Sequence, residues 1–161
     1  MTSIIEELNK RFGDIVSLSI SRGKVHDYVG MAFDYTTKGN LVIAMYDYIN
    51  SIIKNASQIY KESAGSVTPA PDHLYEIRDT ESENHELLFK AEREEYHTTT
   101  AQCLYLSKRG KPDIQQYVVF QCAKVNNPTK NNQKKLAEII KYLIVTIQRP
   151  LIQYMNEHGV S

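Results

Sequence analysis

The chain has 161 residues with nineteen basic and nineteen acidic side chains, enough for one domain with a real core and no net charge to draw it to a polyanion. Hydrophobic residues make up 42% and charged residues 24%, which excludes a disordered chain as the default, and no apolar run reaches the roughly 20 residues needed to span a bilayer. The opening Met-Thr-Ser-Ile-Ile-Glu-Glu lacks the basic-then-apolar order of a signal peptide. The only cysteines, Cys103 and Cys122, have no zinc-ligand spacing and read as buried free thiols of a reducing compartment, so an intracellular protein, cytoplasmic or nuclear, is expected.

Ser3 and Glu6 have capping-box spacing, and Ile4, Ile5, Leu8 and Phe12 form one helical face that Gly13 closes. Period-two alternation follows at Val16, Leu18 and Ile20. After the basic turn Arg22-Gly23-Lys24 it resumes at Val29, Met31, Phe33 and Tyr35, and after Thr37-Lys38-Gly39-Asn40 at Leu41, Ile43 and Met45. Residues 15–45 are therefore predicted to be a small antiparallel sheet. Asp47 is predicted to cap a helix carrying Ile49, Ile52, Ile53, Ala56 and Tyr60. Residues 61–92, with Gly65, Pro69, Pro71 and an acidic stretch, read as a long loop. Helical spacing returns from Glu94 through Tyr96, Thr100, Cys103 and Leu104. Pro112 opens a further helix with Ile114, Val118, Cys122 and Val125. Pro128-Thr129 opens the last, with Leu136, Ile139, Ile140, Leu143 and Ile147 before Pro150. The predicted fold class is α+β, a small sheet followed by a helical bundle.

Charge is unevenly placed. Between Glu76 and Glu95 eight acids face three bases, and between Lys108 and Arg149 nine bases face two acids, so the helical end is basic. Lys108-Arg109-Gly110-Lys111 puts three cations in one interhelical turn, either a solvated connection or a phosphate clamp. Lys130, Lys134, Lys135 and Lys141 read equally as the wet face of the last helix. Tyr28, Tyr35, Tyr46 and Tyr48 offer stacking surfaces or ordinary packing. No catalytic residue is assigned. His26, His73, His85, His97 and His158 show no metal-ligand spacing, Cys103 lies mid-helix away from any activating cation, and Asp27, Asp34 and Asp47 stand singly.

Three segments, in order, resemble one family. They are Lys24-Val25-His26-Asp27-Tyr28-Val29-Gly30-Met31 with Gly39-Asn40-Leu41-Val42-Ile43 and Tyr48-Ile49; Tyr96 through Ile114; and Lys135 to Thr146. Together they resemble the reverse transcriptase of copia-type LTR-retrotransposon polyproteins, over about 24 to 146. Departures are Ala101 at a usual glycine, Lys111 at a usual arginine before Pro-Asp-Ile, and apolar Ile144 and Val145 where the Tyr-Leu helix end usually has a base and a glycine.

The resemblance implies an incomplete palm and thumb: residues 1–45 as a palm edge, 46–151 as a thumb-like helical region, and 152–161 as the start of a linker toward an RNase H domain. It places Tyr28, Val29, Gly30 and Met31 at a primer grip and Lys108, Arg109 and Lys111 near the nucleic-acid backbone, with Pro112 and Asp113 structural. The family's aromatic-x-Asp-Asp hairpin would precede Met1 and the RNase H aspartate would follow Ser161. The parent enzyme's Mg2+ would thus be held by aspartates absent here, and this chain alone is expected to be inactive, with no cofactor or metal site of its own. Expected partners are a weakly bound RNA or DNA template-primer and the remainder of the polymerase supplied in trans, and no membrane. The alternatives are a domesticated helical protein-interaction module and a degenerate gene fragment without function.

Overall fold

The structure is a computed structural model and describes residues 2–15, 20, 22–61, 65–69 and 86–154. Helix α1 spans Thr2–Phe12, and the Gly13 amide donates to the Asn9 carbonyl at 2.7 Å as it ends. Strands β1 (Val25–Tyr28), β2 (Met31–Asp34) and β3 (Asn40–Ala44) follow, then helices α2 (Tyr46–Asn55), α3 (Lys90–Ser107), α4 (Gln115–Cys122) and α5 (Lys130–Thr146), and finally β4 (Leu151–Tyr154). Short 3-10 turns at Gln58–Tyr60 and Pro112–Ile114 link the helices. The α+β class and the small antiparallel sheet ahead of a helical bundle are as expected.

The four strands lie in the order β1-β2-β3-β4, all antiparallel. Because side chains alternate across a pleated sheet, Leu41 and Ile43 share one face and are buried, with Met31 on the same face packed against the helical core. The opposite face leaves Val25, Ile152 and Tyr154 exposed. The strand boundaries differ from the alternation-based reading. Alternation from Val29 to Tyr35 predicts one strand, yet Tyr28 pairs with Met31 and Val29-Gly30 is the two-residue turn between them. The period of two survives such a turn, so it cannot reveal it. The predicted strand at 16–20 lies, apart from Ile20, outside the described residues. Leu151–Tyr154, expected at the junction of thumb and linker, instead form β4 on the free edge of β3.

The helices pack around a core in which α5 supplies Leu136, Ile139, Ile140 and Leu143, each at most 1% exposed. Those four fall on one stripe of a 3.6-residue period, and Thr129 starts it cleanly, accepting from the Asn132 amide at 3.3 Å while Asn132 Oδ1 accepts from the Thr129 amide at 2.9 Å. Ile49 and Ile52 of α2, Tyr96, Cys103 and Leu106 of α3, and Ile114 and Val118 around α4 complete the core. Burying each such side chain contributes about 1.5–3 kcal/mol. The Tyr96 hydroxyl lies between Gln121 Oε1 at 2.9 Å and the Gln121 carbonyl at 3.1 Å, so α3 and α4 are joined by a buried polar contact as well, with Gln121 Nε2 left unpaired among the described residues.

Four helix starts need correction: Ser3, expected to cap, lies inside α1, and Pro112, expected to open a helix, opens the 3-10 turn Pro112–Ile114 ahead of α4. Helix α2 begins at Tyr46 with Met45 as its cap, which places Asp47 inside the first turn, where its charge faces the positive end of the helix dipole. Helix α3 begins at Lys90, four residues before the expected Glu94, because Glu92 Oε2 accepts from the Phe89 amide at 3.0 Å and closes the first turn. The expected loop 61–92 is accordingly shorter at its end. The Leu88 amide donates to the Pro128 carbonyl at 3.0 Å and the Lys130 amide to the Glu86 carbonyl at 2.9 Å, tying 86–89 to the start of α5. Residues 62–64 and 70–85 lie outside the described residues. Among the described residues, no helix is long and apolar enough to cross a membrane.

Candidate nucleic-acid interface

The β1–β2 turn is where the four primer-grip-like residues fall. Val29 has φ 49° and Gly30 φ 75°, the paired positive values that a tight hairpin turn demands. Glycine takes that conformation freely; a β-branched valine does so only under strain. Contacts from the helices hold it there. The Tyr105 hydroxyl of α3 donates to the Val29 carbonyl at 2.7 Å, and the Tyr48 ring of α2 lies 5.1 Å from the Tyr105 ring, beneath Gly30. Tyr28 and Val29 remain 68% and 58% exposed, while Met31 turns inward to the core. Burial, followed by the neighbouring Tyr105, raises the Tyr48 phenol above the ordinary tyrosine range, so it stays protonated at neutral pH.

One helical turn beyond Tyr105 lies Arg109, its guanidinium carbon 4.0 Å from the centre of the Tyr105 ring. A single aromatic side chain therefore touches the hairpin turn through its hydroxyl and the basic interhelical turn through its face. Lys108 and Arg109 are exposed. Gly110 is buried against Met45, where any side chain would meet the methionine sulfur at 2.8 Å, so the turn sits tight on the β3–α2 junction. Tyr105 is not among the site residues that the sequence assigns, and Met45 is read from the sequence only as the end of an alternating strand. The i, i+4 spacing of Tyr105 and Arg109 was the available signal.

Lys111 is corrected. It is 4% exposed and its ammonium donates to the Thr146 carbonyl at 2.8 Å, sharing with the Arg149 amide, at 3.0 Å, a carbonyl at the C-terminal end of α5. A cation held there is turned away from any phosphate at the surface. Burial lowers the Lys111 pKa, and Asp113 opposes that shift. The Thr146 hydroxyl donates to the Tyr142 carbonyl at 2.8 Å, and the Tyr142 hydroxyl donates to the Asp113 carboxylate. Burial first and Asp113 second push the Tyr142 phenol up to about 12. The Lys-Pro-Asp and Tyr-Leu-x-x-Thr segments, about thirty residues apart, thus meet as one latch at the end of the bundle.

The lysines of α5 are also mostly engaged. Lys130 pairs with Glu92 at 2.5 Å and Lys141 with Glu138 at 2.8 Å, and Lys135 is buried with its ammonium 5.5 Å from the Phe120 ring. Asp34 Oδ1 accepts from the Thr36 amide at 2.7 Å, and Asp27 and Asp47 line a pocket of about 250 Å³ with Met31, Met45 and Tyr46 but no third carboxylate. Among the described residues no group of three or more His, Cys, Asp or Glu side chains is placed to hold a metal. Searches against protein-family models, curated proteins and solved structures found no significant match to this chain.

Proposed function

We propose that the chain is a copia-type reverse-transcriptase part that holds the backbone of a template-primer without doing the polymerase chemistry. In this reading Tyr28, Val29 and Gly30 form the strand-side contact with Met31 anchoring the turn to the core, and Lys108 and Arg109 supply two phosphate-reaching cations. The observation that carries it is the double use of Tyr105, which joins the hairpin turn to Arg109 and so gathers both motif segments on one exposed surface. The test is the binding of a labelled primer-template duplex across a salt series. Two phosphate contacts give a slope of log affinity against log salt of about −2, and Arg109→Gln lowers its magnitude by about 1. Affinity that does not fall with salt, or a slope unchanged in R109Q, overturns the proposal.

One observation favours a protein-interaction module instead. Ile4, Leu8 and Phe12 line one face of α1 at i, i+4 and i+8 and are 62%, 42% and 49% exposed. A stable complex with a purified protein that Leu8→Glu abolishes, together with no duplex binding at any salt, favours that second reading.

A further inference from the structure

At the far end of α3 from Arg109, an open groove of about 690 Å³ runs between the first turns of α3 and the connection from α4 to α5. Lys90, Arg93 and His97 project into it from successive turns of one helix face. The sequence hides this, because the same stretch counts as acidic. The fold sorts the charges: Glu92 is spent on the Phe89 amide and Lys130, and Glu95 accepts from the Ser57 amide at 2.7 Å. Glu94 alone of the α3 acids faces the groove, leaving it a net positive charge from Lys90 and Arg93 and a ring donor from His97. Among the described residues, none of these three bases forms an ion pair.

The opposite wall is of another kind. Val125 gives an apolar surface and Asn126 an amide that both donates and accepts. The volume falls within the roughly 300–1,000 Å³ of small-molecule sites. With Glu94 beside Lys90 and Arg93 on the same wall, the groove has charge for one anionic group and not for a run of them. We propose that this groove binds a phosphorylated small molecule of nucleotide size, its phosphate on Lys90, Arg93 and His97 and its ring against Val125 and Asn126. The site is separate from the candidate interface: Arg93 and Tyr105 are about 18 Å apart along the helix axis.

The test is an amide NMR titration of the full chain with adenosine monophosphate, inorganic phosphate and adenosine as probes. Adenosine monophosphate is expected to give saturable shifts confined to 90–98 and 124–127, phosphate weaker shifts at the same amides, and adenosine none. Arg93→Gln, an exposed site where the native spectrum can be verified, is expected to weaken the nucleotide by about tenfold, and Lys90→Gln likewise. Absence of saturable shifts there, or unchanged affinity in both variants with native spectra, overturns the proposal. So does a primer-template duplex that shifts the same amides and is not displaced by the nucleotide. Because R109Q leaves this groove intact, failure of the duplex reading and failure of this one are read separately.

Discussion

Replacing the Lys111 ammonium removes the charged one of two donors on the Thr146 carbonyl, the Arg149 amide remaining at 3.0 Å, and one of the two contacts, beside Tyr142 to Asp113, that tie the Pro112–Ile114 turn to the end of α5. A charge-assisted hydrogen bond of this kind is worth about 1.5–3 kcal/mol, so Lys111→Met is expected to lower stability by about 2 kcal/mol in a urea titration. It should leave the salt slope of duplex binding unchanged, since Lys111 does not reach the surface. A slope reduced as in R109Q would return Lys111 to the phosphate-binding set. Sequence reasoning misplaced this residue because a lysine beside another two cations carries no local sign of burial; only the distant Thr146 supplies its partner. Cys103 shows the contrary case. Its apolar helical face was legible, and it is fully buried with its thiol pushed up to about 12 by desolvation, which makes it a packing residue.

The β1–β2 hairpin carries the next prediction. Val29→Asn creates the Asn-Gly pair that tight turns favour and relieves the positive φ of a β-branched residue, while the carbonyl that Tyr105 grips belongs to the backbone and is retained. Stability is expected to rise by about 1 kcal/mol by thermal or urea unfolding. A loss instead would mean that the exposed Val29 side chain contributes packing that outweighs the strain. Helical elements were the more legible in this chain, since the stripe on α5 repeats over several turns behind a clear opening at Thr129, while at Pro112 the short 3-10 turn hid where α4 begins. Strands of four or five residues give only two or three side chains per face. β4 was unreadable for that reason: Leu151-Ile152-Gln153-Tyr154 becomes a strand only through β3, and nothing within its own neighbourhood says so. At the candidate interface the motif segments were legible, but the tyrosine that unites them was not, because it joins residues far apart in sequence.

Across the whole bundle, stability should depend on alkaline pH. The phenols of Tyr60, Tyr96 and Tyr142 are all raised, first by burial, from an ordinary value of 10.0, Tyr142 to about 12. Above pH 10 the unfolded chain releases these protons while the folded chain keeps them, so the unfolded state binds fewer protons and stability falls as pH rises. For Tyr142 the contribution is fully present below 10.0 and is lost toward about 12. Lys111, whose pKa is lowered, works in the opposite direction as it neutralises in the folded state first. The three phenols outnumber it, and the urea midpoint is expected to drop between pH 8 and about pH 11, less steeply in Tyr142→Phe. A flat profile in the parent protein would contradict the burial of these hydroxyls.

The position of β4 also sets a timetable. β2, the inner neighbour of β3, is made a few residues before it, whereas the outer neighbour emerges only after the whole helical bundle has been synthesised. A ribosome adding about 5–20 residues per second needs on the order of ten seconds to cover that distance, while a strand pair closes in microseconds once both halves exist. For the nascent chain, the interval in which the outer edge of β3 stands open to a neighbouring chain is therefore fixed by translation rate, not by folding rate.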